Sequence, residues 1–172
     1  ALVRLLFGEE NFSGKLPYTY PKYDGVIEFY DHPRSVDRSK LNDFKAYNPQ
    51  WNFGYGLNYS ALVYSNLRLD SREMNPEDSI KIEVDVTNSG LIDVKEVVQL
   101  YVSDKFATIV PNGKPLKGFN KRLIKARETE TVCFYLKIAD LKFVDVSGQC
   151  ISEPGAFDVT IGNLITTFNL KI

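Results

Sequence analysis

Ser79–Gly90 reads "SIKIEVDVTNSG", and its period decides the fold. Ile80, Ile82, Val84 and Val86 alternate with Lys81, Glu83, Asp85 and Thr87. Successive side chains of an extended chain point to opposite faces, so this stretch is a strand with one buried and one wetted face. Asn88-Ser89-Gly90 then supplies a turn. The same period recurs on either side. "EVVQLYVSD" (96–104) sets Val98, Leu100 and Val102 on one face, "ETVCFYLKI" (130–138) sets Val132, Phe134 and Leu136, and "AFDVTIG" (156–162) sets Phe157, Val159 and Ile161. "LVYSNLRL" (62–69) and "TTFNLKI" (166–172) read as the first and last strands, and "KGFNKRLI" (117–124) as another. "ADLKFVDVSG" (139–148) predicts a short helical turn and a short strand. About seven short strands separated by turns predict a mainly β fold over 61–172, a two-sheet antiparallel sandwich of the immunoglobulin or fibronectin III kind. The Cys–Trp–Cys spacing of antibody domains is absent, which favours the fibronectin-like variant.

Upstream of residue 61 the pattern breaks. "ALVRLLF" places Leu2, Leu5 and Leu6 on one side of a helical turn, with Gly8 where a helix stops. In "NFSGKLPYTYP" (11–21), Pro17 and Pro21 bar a helix, leaving a turn and a short extended segment. A helix end and one strand cannot bury themselves, so residues 1–22 need a partner. Residues 23–60 are irregular and rich in Asp, Asn, Pro, Gly and aromatics, which predicts a linker running over another surface. Its aromatics would be the anchors, notably Tyr47, Trp51, Phe53 and Tyr55 around "FGYGLNYS" (53–60).

The chain has 172 residues, 44% hydrophobic and 25% charged, with a formal net charge of -1. That suffices for one packed domain and an appendage. The charge balance argues against nucleic acid or an anionic membrane as partner, and no apolar run is long enough to span a bilayer. Cys133 and Cys150 are too few for a disulfide framework and are expected as free thiols. His32 is the only histidine, and no Cys or His cluster has metal-ligand spacing, so neither a metal nor a cofactor is expected. The chain opens on Ala1 in mid-helix with no signal-peptide pattern, as expected of a piece cut from a larger protein.

The motifs together resemble the C-terminal end of family 3 glycoside hydrolases, the β-glucosidase and β-xylosidase group. Phe7-Gly8, then Ser13-Gly14-Lys15-Leu16-Pro17, Thr19 and Pro21, is similar to the passage that closes the family's α/β sandwich domain. "FGYGLNYS" resembles the junction that follows, and "VTNSG", "EVVQLYVSD", "PLKGF" and "EPGAFDVTIG" recur in the order of the family's fibronectin III-like domain. Phe12 stands where the family often has Pro, and Asn58 where it often has Ser. The resemblance implies three parts: 1–22 ending the α/β sandwich domain, 23–60 a linker, and 61–172 the fibronectin III-like domain. It also implies a retaining mechanism with two carboxylates, both lying in upstream barrel and α/β sandwich domains. Those domains, and a glycoside or oligosaccharide substrate of the whole enzyme, are the implied partners, in a periplasmic or extracellular setting.

The carboxylates present do not replace the missing pair. Glu9-Glu10 reads as a solvated turn. Asp31 beside His32 reads as a local hydrogen-bond pair with no nucleophile near. Ser13-Gly14-Lys15 lacks the frame of a phosphate loop and reads as a turn. Asn11-Phe12-Ser13 and Asn58-Tyr59-Ser60 match the glycosylation sequon, which matters only in a eukaryotic secreted source. The chain is therefore expected to be a non-catalytic part that stabilises the catalytic domains. It would dock them through Leu5, Phe7, Tyr47, Trp51, Phe53 and Tyr55, either fold that segment back onto the sandwich or self-associate through it when alone, and lend the loop Asp104–Lys117 to an active-site rim. The alternatives are a cell-surface interaction module, which leaves the helix at 2–7 unexplained, and a carbohydrate-binding module using Tyr101 and Tyr135 as an exposed platform.

Overall fold

The computed structural model describes residues 2–26, 29–30, 48–110 and 113–172. The strands are β1 (Leu62–Leu69), β2 (Glu73–Met74), β3 (Ser79–Asn88), β4 (Val94–Asp104), β5 (Leu116–Ile124), β6 (Thr129–Lys137), β7 (Phe143–Val144), β8 (Cys150–Ile151), β9 (Gly155–Ile161) and β10 (Leu164–Leu170). Two short helices, α1 (Leu2–Leu6) and α2 (Ile138–Leu141), accompany them. One sheet runs β1-β3-β6, the other β2-β10-β9-β4-β5, and β7 and β8 pair as a hairpin. Neighbouring strands are antiparallel apart from β2, which lies parallel to β10.

The period of 79–88 is realised as read. Ile80, Ile82, Val84 and Val86 are buried and meet β6 in register, Ile80 opposite Leu136, Ile82 opposite Phe134 and Val84 opposite Val132. Val98, Leu100 and Val102 of β4, Phe157, Val159 and Ile161 of β9, and Phe168 of β10 join them in one core. Each fully buried side chain of this kind contributes about 1.5–3 kcal/mol. Asn88 closes β3 with its side chain fully buried and satisfied. It donates to the carbonyls of Ile92 (2.8 Å) and Ile124 (3.2 Å) and accepts the Gly90 N–H (2.9 Å).

β1 carries a bulge that its alternation does not announce. The register shifts between Ser65 and Arg68, and Asn66 sits at φ 51, a left-handed conformation that asparagine tolerates. Its amide donates to Asp85 (3.0 Å), where Arg68 (3.3 Å) and Thr131 (2.8 Å) also converge. These donors, the Asn66 amide foremost, hold the Asp85 carboxyl below its ordinary range. Neighbouring Glu83 is likewise lowered, by hydrogen bonds from Lys81 first and then the Cys133 thiol. Burial, with Glu83 beside it, pushes the Cys133 thiol up, and Cys133 and Cys150 are both free.

The Tyr101–Tyr135 platform does not form. Tyr101 lies on β4 and Tyr135 on β6, in different sheets. Tyr135 is exposed but Tyr101 is buried. The unbroken pairing of β4 with β9 keeps Tyr101 on the face opposite Leu100 and Val102, as its parity predicts, but that face is covered instead of open to solvent. The chain around Gly54 and the Lys114 ammonium, 4.9 Å from the ring centroid, then cover the ring. Burial first, with Tyr30 a smaller contributor, pushes its hydroxyl pKa up to about 12.

Candidate functional site: a clasp between the N-terminal segment and the sandwich

The segment before residue 61 is tied to itself and to the sandwich. Residues 16–20 and 50–55 lie antiparallel. Leu16 N–H donates to Tyr55 O (2.8 Å), Gly54 N–H to Leu16 O (2.9 Å), Tyr20 N–H to Trp51 O (2.8 Å) and Gln50 N–H to Tyr20 O (2.9 Å). Pro17 and Pro21 offer no N–H, so the extended segment read from the sequence forms a bridge at Tyr20 and Trp51 without becoming a strand. The pair is packed backbone to backbone: a Cβ on Gly56 would lie 2.6 Å from Gly14 O.

Three contacts clamp this ribbon onto the sandwich. Asn11 accepts the Tyr59 N–H (2.8 Å) and donates to Ser60 Oγ (2.9 Å) and Asp93 O (3.2 Å). Ser60 Oγ in turn donates to Ile92 O (2.7 Å). Lys15 Nζ meets Glu96 Oε1 at 2.7 Å, with side chains only 18% and 4% exposed. The Tyr64 hydroxyl donates to the same oxygen at 2.8 Å. Burial, then the Glu96 charge and hydrogen bond, drive the Tyr64 pKa strongly upward, so the hydroxyl keeps its proton. Gly54, at φ +78, forms the third contact. A Cβ there would lie 2.4 Å from Gln99 Oε1 and 2.6 Å from Tyr101 Oη.

The residues read as docking anchors separate into two groups. Phe53 is half-buried, 4.3 Å between centroids from Tyr30. Leu5 is half-buried, and its carbonyl accepts the Tyr59 hydroxyl (2.9 Å). Trp51, Tyr55 and Phe7 are exposed, Phe7 to 80%. Tyr18, Tyr20, Trp51 and Tyr55 form an outward row, with successive centroids 6.0, 5.0 and 6.2 Å apart. Tyr47, Asp31 and His32 lie outside the described residues. Glu9 and Glu10 sit in the open with Arg4 (3.3 and 3.0 Å). Among the described residues no group of three or more His, Cys, Asp or Glu could hold a metal.

The motif reading assigns no tying role to Asn11, Lys15 or Glu96, yet Glu96 has a signal. In "VKEVV" (94–98) it occupies the inward parity with Val94 and Val98, and a carboxylate at such a position needs a buried donor. Tyr64 and Lys15 supply it. Ser13-Gly14-Lys15 leads without a hydrogen-bonded turn into the ribbon at Leu16, and its lysine is the tie.

Comparisons with known proteins give the family. A model described as the glycosyl hydrolase family 3 C-terminal domain matches residues 1–59, and one described as a fibronectin type III-like domain matches residues 96–164. A putative β-xylosidase from Formosa agariphila is 35% identical over 173 residues, covering 98% of this chain and 23% of its own length. A periplasmic β-glucosidase from Salmonella typhimurium is 36% identical over 172 residues, covering 94% of this chain and 22% of its own. Among solved structures, a β-glucosidase from Listeria innocua in complex with glucose superposes with a TM-score of 0.87 at 31% identity, covering 98% of this chain and 26% of its own. One from Erythrobacter marinus reaches 0.89 at 28% identity, covering 99% and 23%. This chain thus spans about a quarter of the length of the relatives it matches. With both domain models in the expected order and relatives matched across nearly the whole chain, the chain belongs to family 3 of the glycoside hydrolases, as a C-terminal portion.

Proposed function

We propose that this portion serves a retaining enzyme of β-glucosidase or β-xylosidase type as the brace of its catalytic domains. The observation that carries the reading is the exposed apolar face held on a fixed backbone. Leu2, Leu6 and Phe7 of the helical end and the row from Tyr18 to Tyr55 stay solvent-facing, while backbone hydrogen bonds and the Lys15–Glu96 pair hold the clasp beneath them. A rigid apolar surface of this kind fits a docking face for upstream barrel and α/β sandwich domains. The β4–β5 loop, with Phe106 exposed, is the element offered to the rim of the active site.

The test supplies the upstream catalytic part of the same enzyme in trans. The two parts should associate and gain glycosidase activity or heat resistance. Phe7→Ala with Trp51→Ala should weaken that association and lower the melting temperature of this chain only slightly, because Phe7 is largely exposed and the Trp51 ring touches the exposed rings of Tyr20 and Tyr55. Unchanged association in the double variant would overturn the docking reading. The chain alone should turn over no nitrophenyl glucoside or xyloside. Turnover that is abolished by substituting a residue within it would overturn the non-catalytic reading of this chain.

A further inference from the structure

A cavity of about 360 Å3 opens where β4 ends and β5 begins. Its floor is core: Val102, Leu141 and Phe157, all buried. Ile109 of the β4–β5 loop and Phe143 of β7 also line it. Lys117, near the start of β5, brings a cation to this apolar wall. It is half-buried and makes no hydrogen bond or ion pair among the described residues. Burial lowers its hold on its proton, and Asp140 only partly restores it. The carboxylates around it have other work. Asp140 accepts the Lys137 N–H at 2.8 Å, and Asp104 accepts the Phe106 N–H at 3.0 Å. Lys142, exposed, is the second cation of the lining.

A partly desolvated ammonium whose neighbouring carboxylate Asp140 offsets its burial only in part carries a cost that a bound anion reduces. A concave, mostly apolar space with one or two placed polar groups is also the usual build of a small-ligand site. We propose that this cavity binds a small monocarboxylate with an apolar body, its carboxylate on Lys117 Nζ and its body against Val102, Leu141 and Phe157. A dicarboxylate would set its second charge toward Asp104. A free sugar would strip its hydroxyls of water against the apolar floor without returning hydrogen bonds. The inference does not use the docking face of the N-terminal segment; it shares the β4–β5 loop with the proposed active-site rim, and titration of this chain alone tests the cavity apart from that role.

Calorimetric titration of the 172-residue chain with octanoate and with cinnamate, each against its neutral amide, tests it. The expected result is binding of at least one acid, with its amide weaker by about tenfold or more, the effect of a charge-assisted hydrogen bond. Lys117→Met should erase the preference for the acid. The two probes distinguish an aliphatic from an aromatic body. Failure of both acids at millimolar concentration, equal binding of acid and amide, or an unchanged preference in Lys117→Met would each overturn the proposal. Should Lys117→Met not fold, the acid–amide comparison on the unaltered chain still decides.

Discussion

Replacing Lys15 with methionine would leave the Glu96 carboxylate, 4% exposed, with the Tyr64 hydroxyl as its remaining partner. Removing one member of a buried pair costs about 3 kcal/mol, because the other charge stays buried and uncompensated. Lys15→Met should therefore lower the unfolding free energy by about that amount. Lys15→Met with Glu96→Gln should recover part of it, measured by urea unfolding as a double-mutant cycle; strict additivity would deny the coupling. Gly54 allows a second test against an internal control. Gly54 and Gly25 have nearly the same φ, +78 and +76, but Gly25 faces open space while Gly54 abuts Gln99 and Tyr101. Alanine at either costs about 1–2 kcal/mol of backbone strain. Gly54→Ala should cost measurably more, and the difference reports the close approach of the ribbon to β4. Equal losses would mean that Gln99 and Tyr101 simply swing away.

Among the elements, β3 and β6 are legible because both have one dry face and one wet face, so a period of two survives in the sequence. β1 is legible as a strand but not as a bulged one, since Asn66 gives no hint of its φ until Asp85 is placed opposite. The ribbon before residue 61 is illegible for a different reason. Its ties join residues far apart in sequence, Asn11 to Ser60 and Lys15 to Glu96, and local periodicity carries no information about such pairs. The core nevertheless draws its buried hydrophobics from residues 74–170. The fragment 61–172 should thus unfold cooperatively on its own, with a lower melting temperature than the full chain because Glu96 loses Lys15. A transition without cooperativity by circular dichroism would show that the ribbon completes the core. The polar face of β1-β3-β6 adds a pH dependence. Asp85 and Glu83 titrate below their ordinary range when folded, so their contribution is present above that range and is lost as pH falls through the depressed values. Asp85→Asn should flatten the acid limb of the stability curve, and an unaltered limb would remove Asp85 from the account.

At the scale of the whole molecule, two surfaces of opposite character follow from one design. The sandwich hides its apolar residues between two sheets. The N-terminal segment turns Asn11 and Lys15 inward, on the clasp, and leaves much of its apolar surface outward. Leu2, Val3, Leu6, Phe7, Tyr18, Tyr20, Trp51 and Tyr55 are all exposed. Grouped as one face, they would reach the few hundred Å2 that a monomer rarely leaves open. Without the upstream domains, this face should draw copies of the chain together. Sedimentation velocity should show association that rises with concentration and changes little between low and high salt, since apolar burial is not screened as charge attraction is. Phe7→Ser with Trp51→Ser should shift the distribution toward monomer while leaving the melting temperature near that of the unaltered chain. Saturating amounts of the upstream catalytic part should do the same by occupying the face. Association that salt abolishes, or that persists unchanged in the double variant, would place the contact elsewhere on the molecule, and the exposed aromatic row would then need another partner.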